Sequence, residues 1–434
     1  MSKQSVLNDY FHLDQRSTTV AREFRGAIAT FLTMAYILVV NPLILSDAGI
    51  PRDSLIACTA LAAGICCLLM GFYANVPLAT ASGMGLNAFV AYTIAKSAGS
   101  WQAAMGLIVL DGLAMLVLVL AGLREAIMDA IPRDLRLATG AGIGLFIAFI
   151  GLVNAGLVVM NIPEAPLRPG TLRDPNAAVA FGGLVVTACL MARKVPGAIV
   201  IGIILSTIAG LFAGIAHLPS EWHRPSFASA FHADVRGALH WKLVPLLFAV
   251  LMVDFFDTLG TATAIGEQAG LIDSGGRVIG IRRVLIVDSI AAAIGGTLGV
   301  SSVTAYIESA AGVAEGARTG LHSVFVGLFF LLAIGLAPIA GIVPAAATAP
   351  ALILVGFLML AQLVRIDLSK LDTAIPAFIT LLTIPLTYSI SNGIGYGFVS
   401  YVLIKLITGR FRDVKPLMWG VAGAFGIYFV CGAS

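Results

Sequence analysis

Charge is what this sequence has least of. Only 11% of its 434 residues are Asp, Glu, Lys or Arg, and 59% are hydrophobic. A soluble domain carries about 25% charged residues, so too few remain here to solvate a water-soluble protein of this size. Basic runs are missing too: the formal net charge is +3, and no Lys/Arg-rich stretch offers a surface to nucleic acid. Cysteine is scarce. Cys58, Cys66, Cys67, Cys189 and Cys431 all sit in apolar sequence and read as small buried hydrophobes, with no disulfide or metal role. The six histidines show no metal-ligand spacing; His217, His223, His232 and His240 flank or occupy one polar loop, and all six are expected to avoid the core. No phosphate-cradling glycine loop, redox cysteine pair or Ser/His/Asp arrangement occurs, so no cofactor, metal or enzymatic activity is expected.

What the chain does have is long uncharged stretches, among them Gly26–Leu45, Gly112–Leu123, Leu137–Met160, Val195–His217 and His322–Gln362. Crossing the hydrocarbon core takes about 20 apolar residues. The last stretch is about twice that length and is interrupted by Pro338, Gly341 and Pro344, so it reads as two helices. The chain is therefore a polytopic membrane protein. The first 25 residues are polar, so the first span is expected to be retained, with no cleaved signal peptide.

Hydropathy places spans near 26–45, 54–73, 77–95, 101–122, 137–160, 178–192 and 196–217, then a polar loop at 219–242. Further spans follow near 243–266, 282–299, 301–314, 319–337, 342–363, 373–408 and 414–432. The count is fourteen, or fifteen if 373–408, with Pro376, Pro385 and Ser391-Asn392-Gly393, divides in two. With a cytoplasmic N-terminus, four basic clusters face inward: Arg16/Arg22/Arg25, Arg124/Arg133/Arg136, Arg193/Lys194 and Arg277/Arg282/Arg283. The cluster Arg410/Arg412/Lys415 joins them only if 373–408 crosses twice. Seven spans on each side of the loop suit an inverted repeat. A shift of 221 positions brings Ala48-Gly49-Ile50 onto Ala269-Gly270-Leu271, Tyr36 onto Asp257 and Asn87 onto Glu308.

A charged residue within a span is costly and marks function by default. Asp111, Asp254, Asp257, Asp288 and Glu308 qualify, whereas Glu267, Asp273 and Glu315 lie near span ends within reach of water. Asp254 and Asp257 project to neighbouring positions on one helix. Two adjacent carboxylates in low dielectric cannot readily both be ionised, which suits proton coupling at Asp257 and, less directly, Asp254. Asp288 lies close to Arg283 and reads as part of a salt-bridged helix start; Asp111 has no evident partner. The segments Pro77–Asn87 and Gly295–Ser309 each read as extended backbone leading into a short helix. Irregular backbone at membrane depth is tolerated where it is buried or lines a cavity, and two such segments at matching places point to a midplane site. Asn87 adds a donor and an acceptor there. The pairs Gly142/Gly144, Gly295/Gly296 and Gly312/Gly316 read equally well as close helix packing.

Four motifs in order, Ala29-Thr30-Phe31-Leu32-Thr33-Met34-Ala35-Tyr36-Ile37 through Asn41-Pro42, Gly83-Met84-Gly85-Leu86-Asn87-Ala88-Phe89, Phe256-Asp257-Thr258-Leu259-Gly260-Thr261 and Thr304–Gly312, resemble the AzgA-like adenine/guanine/hypoxanthine permeases of the nucleobase:cation symporter-2 group. The resemblance covers essentially the whole chain. It implies an all-α polytopic, 14-span (7+7) inverted-repeat fold with short extended segments in broken spans 3 and 10. The core domain would comprise 26–122 (spans 1–4) and 243–337 (spans 8–11), and the gate domain 137–217 (spans 5–7) and 342–432 (spans 12–14), after a cytoplasmic segment 1–25. It also implies a purine nucleobase held by Asp257, Glu308, Gly85, Asn87 and Tyr306, with Phe31, Phe89 or Tyr306 available for stacking. Asp257, Glu308 and Asp254 are the proton-coupling candidates. The expected setting is the cytoplasmic (inner) membrane, with a proton as coupling ion; dimers are usual in this fold. Two departures separate the chain from uracil carriers: Ser309-Ala310-Ala311-Gly312 follows Glu308, and Thr261 stands where that branch has histidine. The rivals are a permease specific for xanthine or urate and an anion exchanger of the sulfate-transporter type. The exchanger would favour a basic residue at the site. A channel would need a continuous polar face.

Overall fold

The computed structural model describes residues 3–122, 131–160, 167–216, 224–272, 278–337 and 342–430. Arg124, His217, His223, Asp273, Arg277, Pro338, Gly341, Cys431 and the start of the 219–242 loop lie outside them. In chain order the elements are α1 (Lys3–Phe11), α2 (Val20–Met34), α3 (Ile37–Ser46), α4 (Arg52–Leu69), β1 (Thr80–Ser82), α5 (Met84–Phe89), α6 (Trp101–Leu120) and α7 (Arg133–Asn154). The hairpin β2 (Val158–Met160) and β3 (Leu167–Pro169) precedes α8 (Pro175–Ala192) and α9 (Ala198–Phe212). The second half comprises α10 (Val244–Gln268), α11 (Ile281–Leu298), β4 (Val303–Ala305), α12 (Ser309–Ala314), α13 (Gly320–Ala333), α14 (Ala345–Leu360), α15 (Leu371–Leu386), α16 (Ile390–Ile407) and α17 (Pro416–Val430).

Among the described residues, eight helical stretches are long and apolar enough to cross a membrane: Val20–Ser46, Arg52–Ala74, Trp101–Leu120, Arg133–Asn154, Pro175–Ala192, Trp241–Gln268, Ala345–Arg365 and Ile390–Ile407. Four shorter apolar helices accompany them. Polar side chains set many of the starts. Thr19, Ser100, Asp174, Thr319 and Ser389 each accept from a backbone N–H of the first turn, replacing bonds that the helix cannot make for itself. The first span begins at Val20 and not at Gly26, so Glu23 enters the fold. It is fully buried, and its carboxylate accepts from the amides of Arg318 (2.8 Å), Thr319 (3.3 Å) and His322 (3.2 Å). That places a negative charge on the free amides at the start of α13, where the helix dipole favours it.

The 373–408 stretch forms two helices. Lys405 near the end of α16 meets Asp372 at the start of α15 at 2.7 Å, and Arg410 meets the same carboxylate at 2.9 Å. The two helices thus run antiparallel. Asp134 at the start of α7 bonds the Asp367 amide, so Arg133, Arg136 and Arg410 share one end of the molecule. The conflict over Arg410, Arg412 and Lys415 disappears.

Other expectations change. The 137–160 span ends at Asn154 and gives way to the β2–β3 hairpin. Cys189 is exposed on α8, while Cys58, Cys66 and Cys67 are buried. His322 lies in the core, fully buried, 2.8 Å from Thr30 Oγ1.

Helices α7 and α14 pack most closely. A Cβ at Gly144 would come within 2.7 Å of the Gly356 carbonyl, and one at Gly151 within 3.0 Å of the Ala349 carbonyl. Removing side chains from both faces lets two backbones approach, as membrane helices require. α8, α9 and α15 pack around this pair, whereas α2, α4, α6, α10, α11 and α13 form a second group.

Within the second group β1 and β4 pair antiparallel, Thr80 opposite Ala305 and Ser82 opposite Val303. Each leads into a six-residue helix. All six strand residues are buried, and pairing satisfies backbone groups that have no water to turn to.

Candidate functional site

Where α5 and α12 begin, the packing leaves a cavity of about 810 Å³. Small-molecule sites span about 300–1,000 Å³. Its walls include Gly85 from α5, Asp257 from α10, Tyr306 and Glu308 from the β4–α12 junction, Tyr36 from the first span, and Ile143 and Met359 from α7 and α14. The cavity runs to Arg133, Arg136, Glu267, Gln362 and Arg365, at the end that carries the basic residues.

Outside the cavity walls, Tyr92, Phe146 and Tyr388 meet edge to face, with ring centroids 5.0 to 5.9 Å apart. Tyr92 donates to Asp47 at 2.6 Å, and the Lys96 ammonium lies 5.6 Å from the Tyr388 ring centroid. Tyr388 sits between α15 and α16 with φ at 51°, a left-handed conformation that costs a tyrosine free energy and that the aromatic packing holds in place.

Besides Glu267 at the basic end, two carboxylates face the cavity beside the broken spans. Asp257 projects from α10 as an exposed side chain, and no hydrogen bond to it is found among the described residues. Glu308, half-buried just before α12, accepts the Tyr36 hydroxyl at 2.7 Å. Tyr306 presents its ring to the cavity while its hydroxyl donates to the Ser82 carbonyl at 2.5 Å, tying β4 to β1. A Cβ at Gly85 would meet Ile143 Cγ2 at 2.9 Å, so glycine keeps this crossing close.

The remaining candidates lie elsewhere. Asn87 is fully buried beside Ser82, one turn inside α5. Ser82 Oγ contacts both Asn87 Oδ1 and the Val300 carbonyl, yet it carries one proton, and Asn87 Nδ2 has no partner. An Asn87 amide donating to Ser82, with Ser82 donating to Val300, satisfies both groups. The 221-position shift misjudged this segment. β1 starts at 80 and β4 at 303, an offset of 223, and the cap residues Gly83 and Glu308 are offset by 225. The structural mate of Glu308 is therefore Gly83, and Asn87 points away.

Phe31 packs on Phe329 and Phe330, at 5.6 and 5.1 Å, and Phe89 is fully buried; neither lines the cavity. Asp254 turns from it as well, accepting from Ser302 Oγ at 2.5 Å and facing Asp111. Asp288 is not salt-bridged to Arg283; it is fully buried and accepts from Thr258 Oγ1 at 2.6 Å. Thr258 in turn accepts the Ala305 amide at 3.3 Å, so this hydroxyl connects α10, α11 and β4. Tyr36 was missed as a wall residue: a tyrosine in an apolar span carries no cost that would single it out. Its one signal was its alignment with Asp257 in the two halves.

The chain matches the Xan_ur_permease profile, described as a permease family, over residues 22–395. It is 39% identical to the adenine permease AdeP of Escherichia coli over 98% of this chain and 96% of that one. It is likewise 39% identical to the guanine/hypoxanthine permease PbuG of Bacillus subtilis, over 98% and 99%. Among solved structures it resembles the transmembrane domain of the cyanobacterial bicarbonate transporter BicA (TM-score 0.62, 13% identity, 87% of this chain and 96% of that one). It also resembles the murine anion transporter Slc26a9 (TM-score 0.66, 13% identity, 89% and 68%). At those identities the structures speak for the inverted-repeat transporter fold alone.

Proposed function

Because the chain belongs to the Xan_ur_permease family of permeases, we propose that it is a proton-coupled symporter that imports purine nucleobases, of the hypoxanthine, guanine and adenine class, across the cytoplasmic membrane. The observation that carries this reading is the pair of carboxylates, Asp257 and Glu308, lining one cavity beside two broken spans. A purine presents N–H donors at its edge, which a carboxylate accepts in a charge-assisted bond worth about 1.5–3 kcal/mol. The Tyr306 ring offers a face for stacking, and Gly83 to Leu86 bring the start of α5 to the wall.

The group built on α7 and α14 serves as the gate domain, and the group holding β1 and β4 as the core. Protonation of Asp257 or Glu308 neutralises the loaded site, and the core then moves against the gate. A cavity reaching the basic end fits an inward-facing state with the N-terminus in the cytoplasm. The purine reading also draws on the relatives named adenine and guanine/hypoxanthine permeases. An anion exchanger is disfavoured by the relatives named adenine and guanine/hypoxanthine permeases and by the carboxylates of Asp257 and Glu308 beside the broken spans, although Arg133, Arg136 and Arg365 line the cavity's far end.

Uptake of radiolabelled hypoxanthine into cells lacking their own purine permeases tests the proposal. Adenine, guanine, xanthine, uracil and sulfate serve as competitors, and a protonophore as control. Purine-inhibited uptake that collapses with the protonophore is expected. Uptake insensitive to purines would refute the substrate, and uptake insensitive to the protonophore would refute the coupling.

A further inference from the structure

The first span contributes to the site through a local change of helix type. Between α2 and α3 the Leu38 amide bonds the Ala35 carbonyl and the Val39 amide bonds the Tyr36 carbonyl, each at 3.1 Å. These i to i+3 bonds are the 3₁₀ pattern, and the dihedrals agree: Ala35 lies at φ −62, ψ −16 and Tyr36 at φ −55, ψ −24; the Tyr36 carbonyl also accepts the Val40 amide at 3.0 Å, where the α pattern resumes. A stretch of 3₁₀ in mid-helix often marks a functional position, because tightening the turn re-aims the side chains that follow. Here Tyr36, 2% exposed, sends its hydroxyl to Glu308 Oε1 at 2.7 Å, 272 positions away in sequence. Among the described residues Tyr36 is the one side chain found to donate to Glu308.

Glu308 needs such a partner. It caps α12 without a side-chain bond to that helix's amides, and it follows the three-residue strand β4. A glutamate has three side-chain torsions, and an untethered one loses rotamer entropy when a ligand fixes it. With Oε1 tied to Tyr36, the carboxylate is already oriented before a ligand arrives, leaving Oε2 as the acceptor for a ligand N–H.

We propose that Tyr36 is a positioning residue for Glu308, pre-orienting its carboxylate for the N–H edge of a purine. This rests on the substrate reading above and adds a residue to it. Equilibrium binding of radiolabelled guanine and hypoxanthine to the purified full chain provides the test, alongside uptake kinetics. Tyr36→Phe, which removes one oxygen and keeps the ring, should weaken binding and raise KM by about tenfold, with maximal rate changed less than about twofold. The second arm repeats Tyr36→Phe in a Glu308→Asp background, whose shorter carboxylate cannot reach the hydroxyl. There Tyr36→Phe should change binding by less than about twofold, because interacting residues are non-additive. Size-exclusion profiles of each variant check folding. An unchanged KM in Tyr36→Phe, or an equal loss in both backgrounds, overturns the positioning role. A wild-type protein that binds no purine overturns the substrate reading instead.

Discussion

The two broken spans are alike in build and unlike in chemistry. β1 and β4 are each three residues long, pair with one another, and run into helices of six residues. At the cap position, however, α5 has Gly83 and α12 has Glu308. The scaffold is symmetric and the charge is not. The β1–α5 segment supplies close approach, through Gly83 and Gly85, while the β4–α12 segment supplies a carboxylate that Tyr36 holds by a direct hydrogen bond. A planar ligand needs both: one wall near enough to exclude water and another that accepts its N–H groups.

The comparison breaks hardest at the charged wall. Glu308→Gln and Asp257→Asn should each abolish accumulation of purine against a gradient in uptake assays, while membrane expression is retained. Next comes Thr258→Val, which strips the hydroxyl linking Asp288 to β4. It should cost about 1–3 kcal/mol of stability, read as a lower unfolding temperature in detergent. On the neutral wall, a Cβ at Gly83 would lie 2.9 Å from Thr304 Oγ1, a buried oxygen with no hydrogen-bond partner. Gly83→Ala should reduce stability by about 1–3 kcal/mol through overpacking, and Gly83→Ala with Thr304→Ala should restore it. Asn87→Ala should lower the unfolding temperature by an amount equivalent to about 1 kcal/mol and leave KM unchanged. Smallest of all, Phe31→Leu should cost under about 1.5 kcal/mol and leave transport intact.

The same contrast explains what could be read in the sequence. Asp257 and Glu308 stood out because charge inside a membrane span is expensive wherever the helix points. The two extended segments stood out because glycines, serines and threonines interrupt otherwise apolar runs. Direction was harder. Asn87 and Asp254 occupy the right elements, but which way they face depends on where a short helix begins and on a few tens of degrees of helix phase. Asn87 turned out to lie one turn beyond the cap, and Asp254 on the side of Ser302 and Asp111. Tyr36 was hidden for the opposite reason. Nothing in Ala35-Tyr36 breaks helical propensity, and neither glycine nor proline marks the 3₁₀ turn. The Lys405–Asp372 pair, which fixes α15 and α16 as an antiparallel hairpin, joins residues 33 positions apart and forms only after both helices pack.

The measurement that bears most directly on the account is saturable binding of radiolabelled guanine or hypoxanthine to the purified chain, compared among wild type, Asp257→Asn and Glu308→Gln. The account predicts binding by wild type and its loss in both variants, each still folded by size exclusion. Wild-type affinity retained in both variants would contradict it, because the purine would then be held without the two carboxylates that define the cavity.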